Sequence, residues 1–76
     1  MADLELLERA GRLLHGDHWQ SATARDLGVA DRTLRRWLVG KRTMAPGRMD
    51  ALANELERRH AEIPIVVAAI RAVTAD

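Results

Sequence analysis

The chain has 76 residues, 47% of them hydrophobic, a net charge of +1 and no cysteine. A chain of this length forms at most one domain, and a sequence without cysteine excludes disulfides and thiolate metal sites. Alanine, leucine and valine dominate the apolar residues, and two tryptophans are the only aromatic ones. This composition is typical of helical proteins rather than of sheets, so we expect a single all-α domain over residues 1–76.

The first predicted helix covers the segment DLELLERAGRLLHG, residues 3–16. Apolar residues recur in it at the intervals of one helix face. Asp3 can cap its start, and Gly16 is well placed to end it. The predicted inward positions are Leu4, Leu7, Ala10, Gly11 and Leu14.

The next two predicted helices are WQSATARDLG and DRTLRRWLVG, which begin at Trp19 and Asp31. A glycine is suited to end each of them, Gly28 in the first and Gly40 in the second. A tight turn would connect them. The predicted inward positions are Ala24 and Leu27 in the first of these helices, and Leu34, Trp37 and Leu38 in the second.

The C-terminal half predicts two more helices, separated by a proline. Residues 41–47, KRTMAPG, are typical of a loop, and Pro46 suits the first turn of the fourth helix, where its missing N–H costs nothing. That helix should run to Ile63, because Pro64 is expected to end or kink it, and residues 64–76 would form a fifth. With no strand pattern, the predicted fold is an all-α bundle of about five short helices. The inward positions of the fourth helix would be Met49, Leu52, Ala53, Leu56, His60 and Ile63.

The charges are segregated along the chain. Residues 1–18 and 49–76 each carry a net charge of −2, whereas residues 19–48, the basic segment, carry seven cations against two acids. Five of the twelve lysines and arginines lie within DRTLRRWLVGKR, residues 31–42. Segregation of this kind indicates an anionic partner that is met by one face of the protein.

The second and third helices have the spacing of a helix-turn-helix over residues 20–39. The first helix of such a unit needs a small residue where the second crosses it, and Ala24 stands there. The turn needs a residue that tolerates a positive φ, and Gly28 follows four positions later. Apolar residues must then join the two helices, and the sequence provides Val29, Leu34, Trp37 and Leu38.

The stretch WQSATARDLGVADRTLRRWLVG resembles the helix-turn-helix of the Cro/CI-repressor-like (Xre-type) family of phage and bacterial transcription regulators. The resemblance is close over residues 19–40 and loose in the helical frame on either side. One departure is Ala30, where such proteins often have a serine that caps the recognition helix. We expect Asp31 to cap the helix instead, with its carboxylate on backbone amides.

A recognition helix lies in the major groove, where the arginine fork matches O6 and N7 of guanine. In a helix that begins at Asp31, three arginines share the face opposite the apolar residues. The resemblance implies base contacts by Asp31, Arg32, Arg35 and Arg36 and a phosphate contact by Gln20. Lys41, Arg42 and Arg48 flank the helix and suit neutralisation of the DNA backbone.

Other residues with possible chemistry favour structural roles. Trp37 could stack on a base, but its inward position favours the core. Trp19 could lie against the sugar-phosphate chain, although a packing role at the start of its helix is the favoured reading. His15 and His18 are three apart, but no further ligand completes a set, so no metal site is predicted.

The C-terminal apolar segment is predicted to make a dimer. Residues 63–70, IPIVVAAI, are too few to span a bilayer, and no signal peptide pattern precedes the first helix. Apolar residues on more than one helix face call for a second surface. The alternative is that the segment wraps over the protein's own first helix. The predicted interface residues, in a dimerisation helix over residues 64–76, are Ile63, Val66, Val67, Ile70 and Val73.

These features predict a sequence-specific regulator that binds double-stranded DNA, as a homodimeric repressor on a short palindromic operator of a phage or mobile element. No nucleophile, base and oxyanion donor converge, so we expect no enzyme activity, and neither cofactor, metal, membrane nor small-molecule ligand is expected. The expected location is the cytoplasm, on the nucleoid when DNA-bound. The alternatives are an antitoxin-like interaction protein that also binds DNA, and a DNA-binding accessory module of a mobile-element recombinase.

Overall fold

The computed structural model describes residues 3–45 and 47–75, and this part of the chain forms four helices and no strand. The all-α fold class is therefore confirmed. The predicted count of five helices is wrong, because one long helix occupies the region where two were expected. The helices are α1 (Asp3–His15), α2 (Trp19–Leu27), α3 (Asp31–Leu38) and α4 (Asp50–Thr74).

Helix α4 continues through Pro64, which lies near its middle. Proline removes one backbone hydrogen bond and crowds the carbonyl four residues earlier, at a cost of about 3 kcal/mol within a helix. The surrounding residues are exposed, so water can bind the carbonyl of His60 that Pro64 leaves unpaired. The start of the helix also differs from the prediction, since α4 begins at Asp50 rather than Gly47. Pro46 lies outside the described residues.

The core lies between α1, α2, α3 and the first half of α4. Trp19 and Trp37 are both buried, which confirms the packing roles predicted for them. Leu4 is exposed at the edge of the bundle, although an inward position was predicted for it. The buried apolar residues are Leu7, Leu14, Trp19, Ala24, Leu27, Leu34, Trp37, Met44 and Leu52, with Ala10, Val29, Leu38, Met49 and Leu56 packed against them.

The second half of α4 extends beyond the bundle. His60 and Ile63 are exposed, so their predicted inward positions are wrong. The reason is length, because at 1.5 Å per residue α1 covers only about 20 Å of a fourth helix that is about 37 Å long. The molecule measures 55 × 22 × 22 Å, and its long dimension reflects this projection.

Helices α1 and α2 approach each other closely at Gly11. A Cβ atom added there would lie 2.7 Å from Oγ1 of Thr23 and 3.0 Å from Cδ2 of Trp19. Both of these side chains are buried in α2. Glycine at this position therefore lets α2 pack directly on the backbone of α1.

Polar contacts fix the end of α1 against the other helices. Nε2 of His15 lies 2.6 Å from Oδ2 of Asp26 in α2. Nη1 of Arg59 donates a hydrogen bond of 3.0 Å to the carbonyl oxygen of Leu14. Glu55 binds Arg58 and Arg59, and its hydrogen bond with Arg58 lowers the pKa of the Glu55 carboxyl below its usual value. The ionised carboxylate thereby holds Arg59 in position for α1.

Gly28 ends α2 with a φ of 70°, as its place in the predicted turn requires. We expect Gly28→Val to lower the free energy of unfolding by about 1–2 kcal/mol, because a Cβ in the left-handed region crowds the following carbonyl. Urea unfolding followed by circular dichroism measures this loss. Gly28→Asn is the matched control, since asparagine tolerates this conformation and an added Cβ meets nothing within 4 Å. Coincident unfolding curves for Gly28→Val and the wild type would contradict the assignment.

Candidate nucleic-acid interface

The connection between α2 and α3 consists of three residues, Gly28, Val29 and Ala30. The amide of Val29 donates to the carbonyl of Ala24 at 2.9 Å, which closes the end of α2. Ala30 adopts an extended conformation, and its carbonyl accepts from the amides of Thr33 and Leu34 at the start of α3. The chain thus changes direction within three residues and holds α3 at a fixed angle to α2.

Helix α3 has one buried and one exposed side. Leu34 and Trp37 are buried in the core and Leu38 is half-buried, as predicted. Arg32, Arg35 and Arg36 are exposed. Two turns of helix thus present three guanidinium groups to solvent while their backbone is anchored by the core.

Asp31 does not cap α3, contrary to the prediction. The residue at the N-cap position is Ala30, and Asp31 already lies in the first helical turn. From there its Oδ2 atom reaches across to α2 and accepts a hydrogen bond of 2.7 Å from Oγ of Ser21. This bond ties the first turns of the two helices together. Ser21 was missed at the sequence level, because two residues ten apart in different helices leave no periodic signal.

The residues predicted to contact a DNA backbone lie around α3. Gln20 is exposed in the first turn of α2. Lys41 and Arg42 follow α3 directly, where the amide of Lys41 donates to the carbonyl of Arg36 at 2.9 Å. Arg42 and Arg48, six residues apart in the sequence, line one surface depression of about 260 Å³ together with Thr33 and Trp37. The fold therefore brings both arginines beside α3.

The cations of the basic segment differ from the others in their ion pairs. Arg12 pairs with Glu8 at 2.9 Å, and in α4 both Arg58 and Arg59 pair with Glu55. Among residues 3–45 and 47–75, by contrast, no carboxylate oxygen within 4 Å makes an ion pair with any cation in a second group. This group consists of Arg32, Arg35, Arg36, Lys41, Arg42 and Arg48.

The two acids of the basic segment have partners of their own. Asp26 is bound to His15 and Asp31 to Ser21, so neither neutralises an arginine of α3. The positive charge around α3 is therefore uncompensated within this part of the protein. An exposed surface with such a charge distribution attracts anions.

Comparison of the chain with protein-family models, curated proteins and solved structures finds no match. Within the described ranges, no helix has the length and apolar character needed to cross a membrane. The same residues contain no group of three or more His, Cys, Asp or Glu side chains placed to hold a metal ion.

Proposed function

We propose that this protein is a sequence-specific regulator that binds double-stranded DNA, and that α2 and α3 form its helix-turn-helix. In this proposal α3 is the recognition helix and enters the major groove. The observation that carries the proposal is the set of exposed arginines on α3, without ion pairs among the described residues, on a helix whose opposite side is anchored in the core.

Base recognition is assigned to the exposed side of α3. Arg32, Arg35 and Arg36 each present a planar fork of donors that matches O6 and N7 of guanine. Asp31 stands at the N-terminal end of the same helix, where a carboxylate can accept from the amino group of cytosine. Its bond to Ser21 would keep this end of α3 in one orientation as it enters the groove. A fixed orientation favours specificity, because less freedom is lost on binding.

Backbone contacts are assigned to the residues that surround α3. Lys41, Arg42 and Arg48 would neutralise phosphates, and Gln20 would donate to a phosphate from the start of α2. The depression shared by Arg42 and Arg48 supports this assignment, because two guanidinium groups beside a recognition helix suit the phosphates that border a groove. Such contacts position the protein on the duplex without reading its sequence.

The proposed regulator acts as a homodimeric repressor on a short palindrome. Repression follows from steric competition with polymerase for overlapping DNA. The protein would act in the cytoplasm, on the nucleoid, with neither enzyme activity nor a cofactor. A two-fold dimer would place two copies of α3 about 34 Å apart, which is the spacing of palindromic half-sites.

Selection of binding sites from random duplexes tests the proposed function. We expect enrichment of one palindromic sequence with guanines in each half-site. The Arg71→Ala variant is the control, since it removes a cation of α4 outside the proposed interface and should select the same sequence. A selection that enriches no sequence over the starting pool would exclude specific recognition.

An antitoxin-like interaction protein that also binds DNA is the second candidate. The exposed apolar side chains in the second half of α4 support it, because a different protein could cover them. Both candidates keep α3 as the DNA-binding helix. They differ in whether the partner at α4 is a second copy of the chain.

A further inference from the structure

The second half of α4 exposes a continuous apolar surface. Every described residue from 57 to 75 is exposed, which follows from the projection of this helix beyond the bundle. Five large aliphatic side chains in this stretch are between 41% and 80% exposed. They are Ile63, Val66, Val67, Ile70 and Val73, and we call them the apolar stripe.

The apolar stripe continues the core-facing side of the same helix. Met49, Leu56, Ile63 and Ile70 are seven residues apart, and so are Leu52, Arg59, Val66 and Val73. At 100° per residue the five members of the stripe fall within an arc of about 120°. Leu52 and Leu56 pack on this chain's own bundle, whereas the stripe, on the same side of the helix, has no bundle to contact.

Arg59 is the polar member of this repeat and marks the boundary between the two halves. Its Nη1 atom donates to the carbonyl of Leu14, and its Nε atom donates to Glu55 at 3.3 Å. The charge is therefore satisfied within the chain. It does not prevent apolar contacts on either side of it.

A second apolar surface lies on the bundle itself, between α1 and α4. It is a groove of about 180 Å³, in which α1 contributes Leu6 and Ala10. Leu6 is 41% exposed, although it belongs to a helix that packs on the core. The helix α4 contributes Met49, Leu52, Ala53 and Leu56 to the groove.

We infer that the second half of α4 lies in the α1/α4 groove of a second copy of this chain, and that the contact is reciprocal and antiparallel. The chain cannot fill its own groove, because groove and stripe belong to one unbroken helix. A second copy brings exactly one stripe for each groove, so two copies cover both pairs of surfaces. The inference specifies the homodimer of the proposed function and rests on it for the identity of the partner.

The lengths of the two surfaces agree with this arrangement. On α4 the groove covers residues 49–56 and the stripe covers residues 63–73, and the midpoint between them lies near residues 59–60. A two-fold axis beside that midpoint pairs Leu56 with Ile63 of the second copy, and Met49 with Ile70 of the second copy. Such a contact is isologous, so the same interaction is made twice. Side-by-side parallel pairing of the stripes would leave both grooves uncovered.

Symmetry also explains why one side of α4 serves both halves. When two antiparallel helices are related by a two-fold axis, the bundles of both copies lie on the same side of the helix pair. The side of α4 that packs on its own α1 therefore continues onto the partner's α1. The opposite side of the projecting segment carries mainly alanines, Ala61, Ala68 and Ala72.

Disulfide cross-linking tests the inference, because the chain has no native cysteine. Ala53→Cys protein and Val67→Cys protein are mixed without DNA, allowed to exchange subunits and oxidised. We expect a covalent dimer from the mixture and little from either variant alone, since like positions lie about 20 Å apart in the antiparallel pair. Met49→Cys with Ile70→Cys provides a second pair should Val67→Cys weaken the dimer.

The control is a mixture of Ala53→Cys with Ala68→Cys, which lies on the opposite side of the helix and should not cross-link. Self-cross-linking of Val67→Cys alone would indicate parallel pairing and overturn the inference. Sedimentation of the wild type as a monomer at tens of micromolar would overturn it too, in favour of a different protein on the stripe. No DNA is present, so a failure here is distinct from a failure of the proposed DNA binding.

Discussion

Replacement of Gly11 by alanine is expected to lower the free energy of unfolding by about 3 kcal/mol, at the upper end of typical overpacking costs. In an exposed helix the same change would stabilise by about 1 kcal/mol, because glycine is a poor helix former. Here the added methyl would overlap the side chains of Trp19 and Thr23. Both are buried, so neither can move aside without disturbing the contact between α1 and α2. Urea unfolding followed by circular dichroism measures the difference.

Two further variants identify the cause of this loss. Leu13→Ala changes a side chain of the same helix that is 76% exposed, and it should leave stability nearly unchanged. In a Trp19→Leu background, Gly11→Ala should cost markedly less, because the smaller side chain leaves room for the methyl. An equal cost in both backgrounds would show that the indole of Trp19 is not the obstacle.

The region from α2 to α3 could be predicted from local rules. Gly28 has the positive φ that its position after Ala24 and Leu27 requires. Leu34 and Trp37 are buried and the arginines between them are exposed, as helical periodicity demands. Each of these features depends on residues within one or two turns, so the sequence contains the information directly.

The long fourth helix could not be predicted by the same means. A proline usually ends or kinks a helix, and this rule placed a boundary at Pro64. The spacing of Leu56, Ile63 and Ile70 remains in one register across the proline, and that longer repeat predicts the observed helix. Whether a residue in the repeat is buried depends on the length of α1, which the pattern in α4 does not contain.

Contacts between helices were the other features beyond the reach of sequence. The bond from Ser21 to Asp31 and the pair of His15 with Asp26 each join residues at least ten positions apart in different helices. Their geometry depends on how the helices are packed. The capping role predicted for Asp31 was wrong for this reason, since a partner in α2 receives the carboxylate that a local rule assigned to backbone amides.

The second large effect is expected in DNA binding, for the Arg35→Ala and Arg36→Ala variants. Each change removes a guanidinium fork proposed to bind guanine, and should weaken binding to the selected palindrome by about 1–3 kcal/mol, or roughly 5- to 150-fold. Both side chains are exposed, so stability should stay within about 0.5 kcal/mol of the wild type. Titration of the palindrome and of a scrambled duplex measures the loss on each.

Two other arginines separate base reading from charge. Arg42→Ala should weaken binding to both duplexes alike and reduce the slope of log affinity against log salt by about 1, because it removes one phosphate contact. Arg58→Ala removes a cation that is already paired with Glu55 in α4, so it should change neither affinity. A base contact is lost only on the duplex that contains the base, whereas a phosphate contact is lost on every duplex. Equal losses on palindrome and scrambled DNA for both Arg35→Ala and Arg36→Ala would therefore assign these side chains to phosphates and leave α3 without its proposed readers.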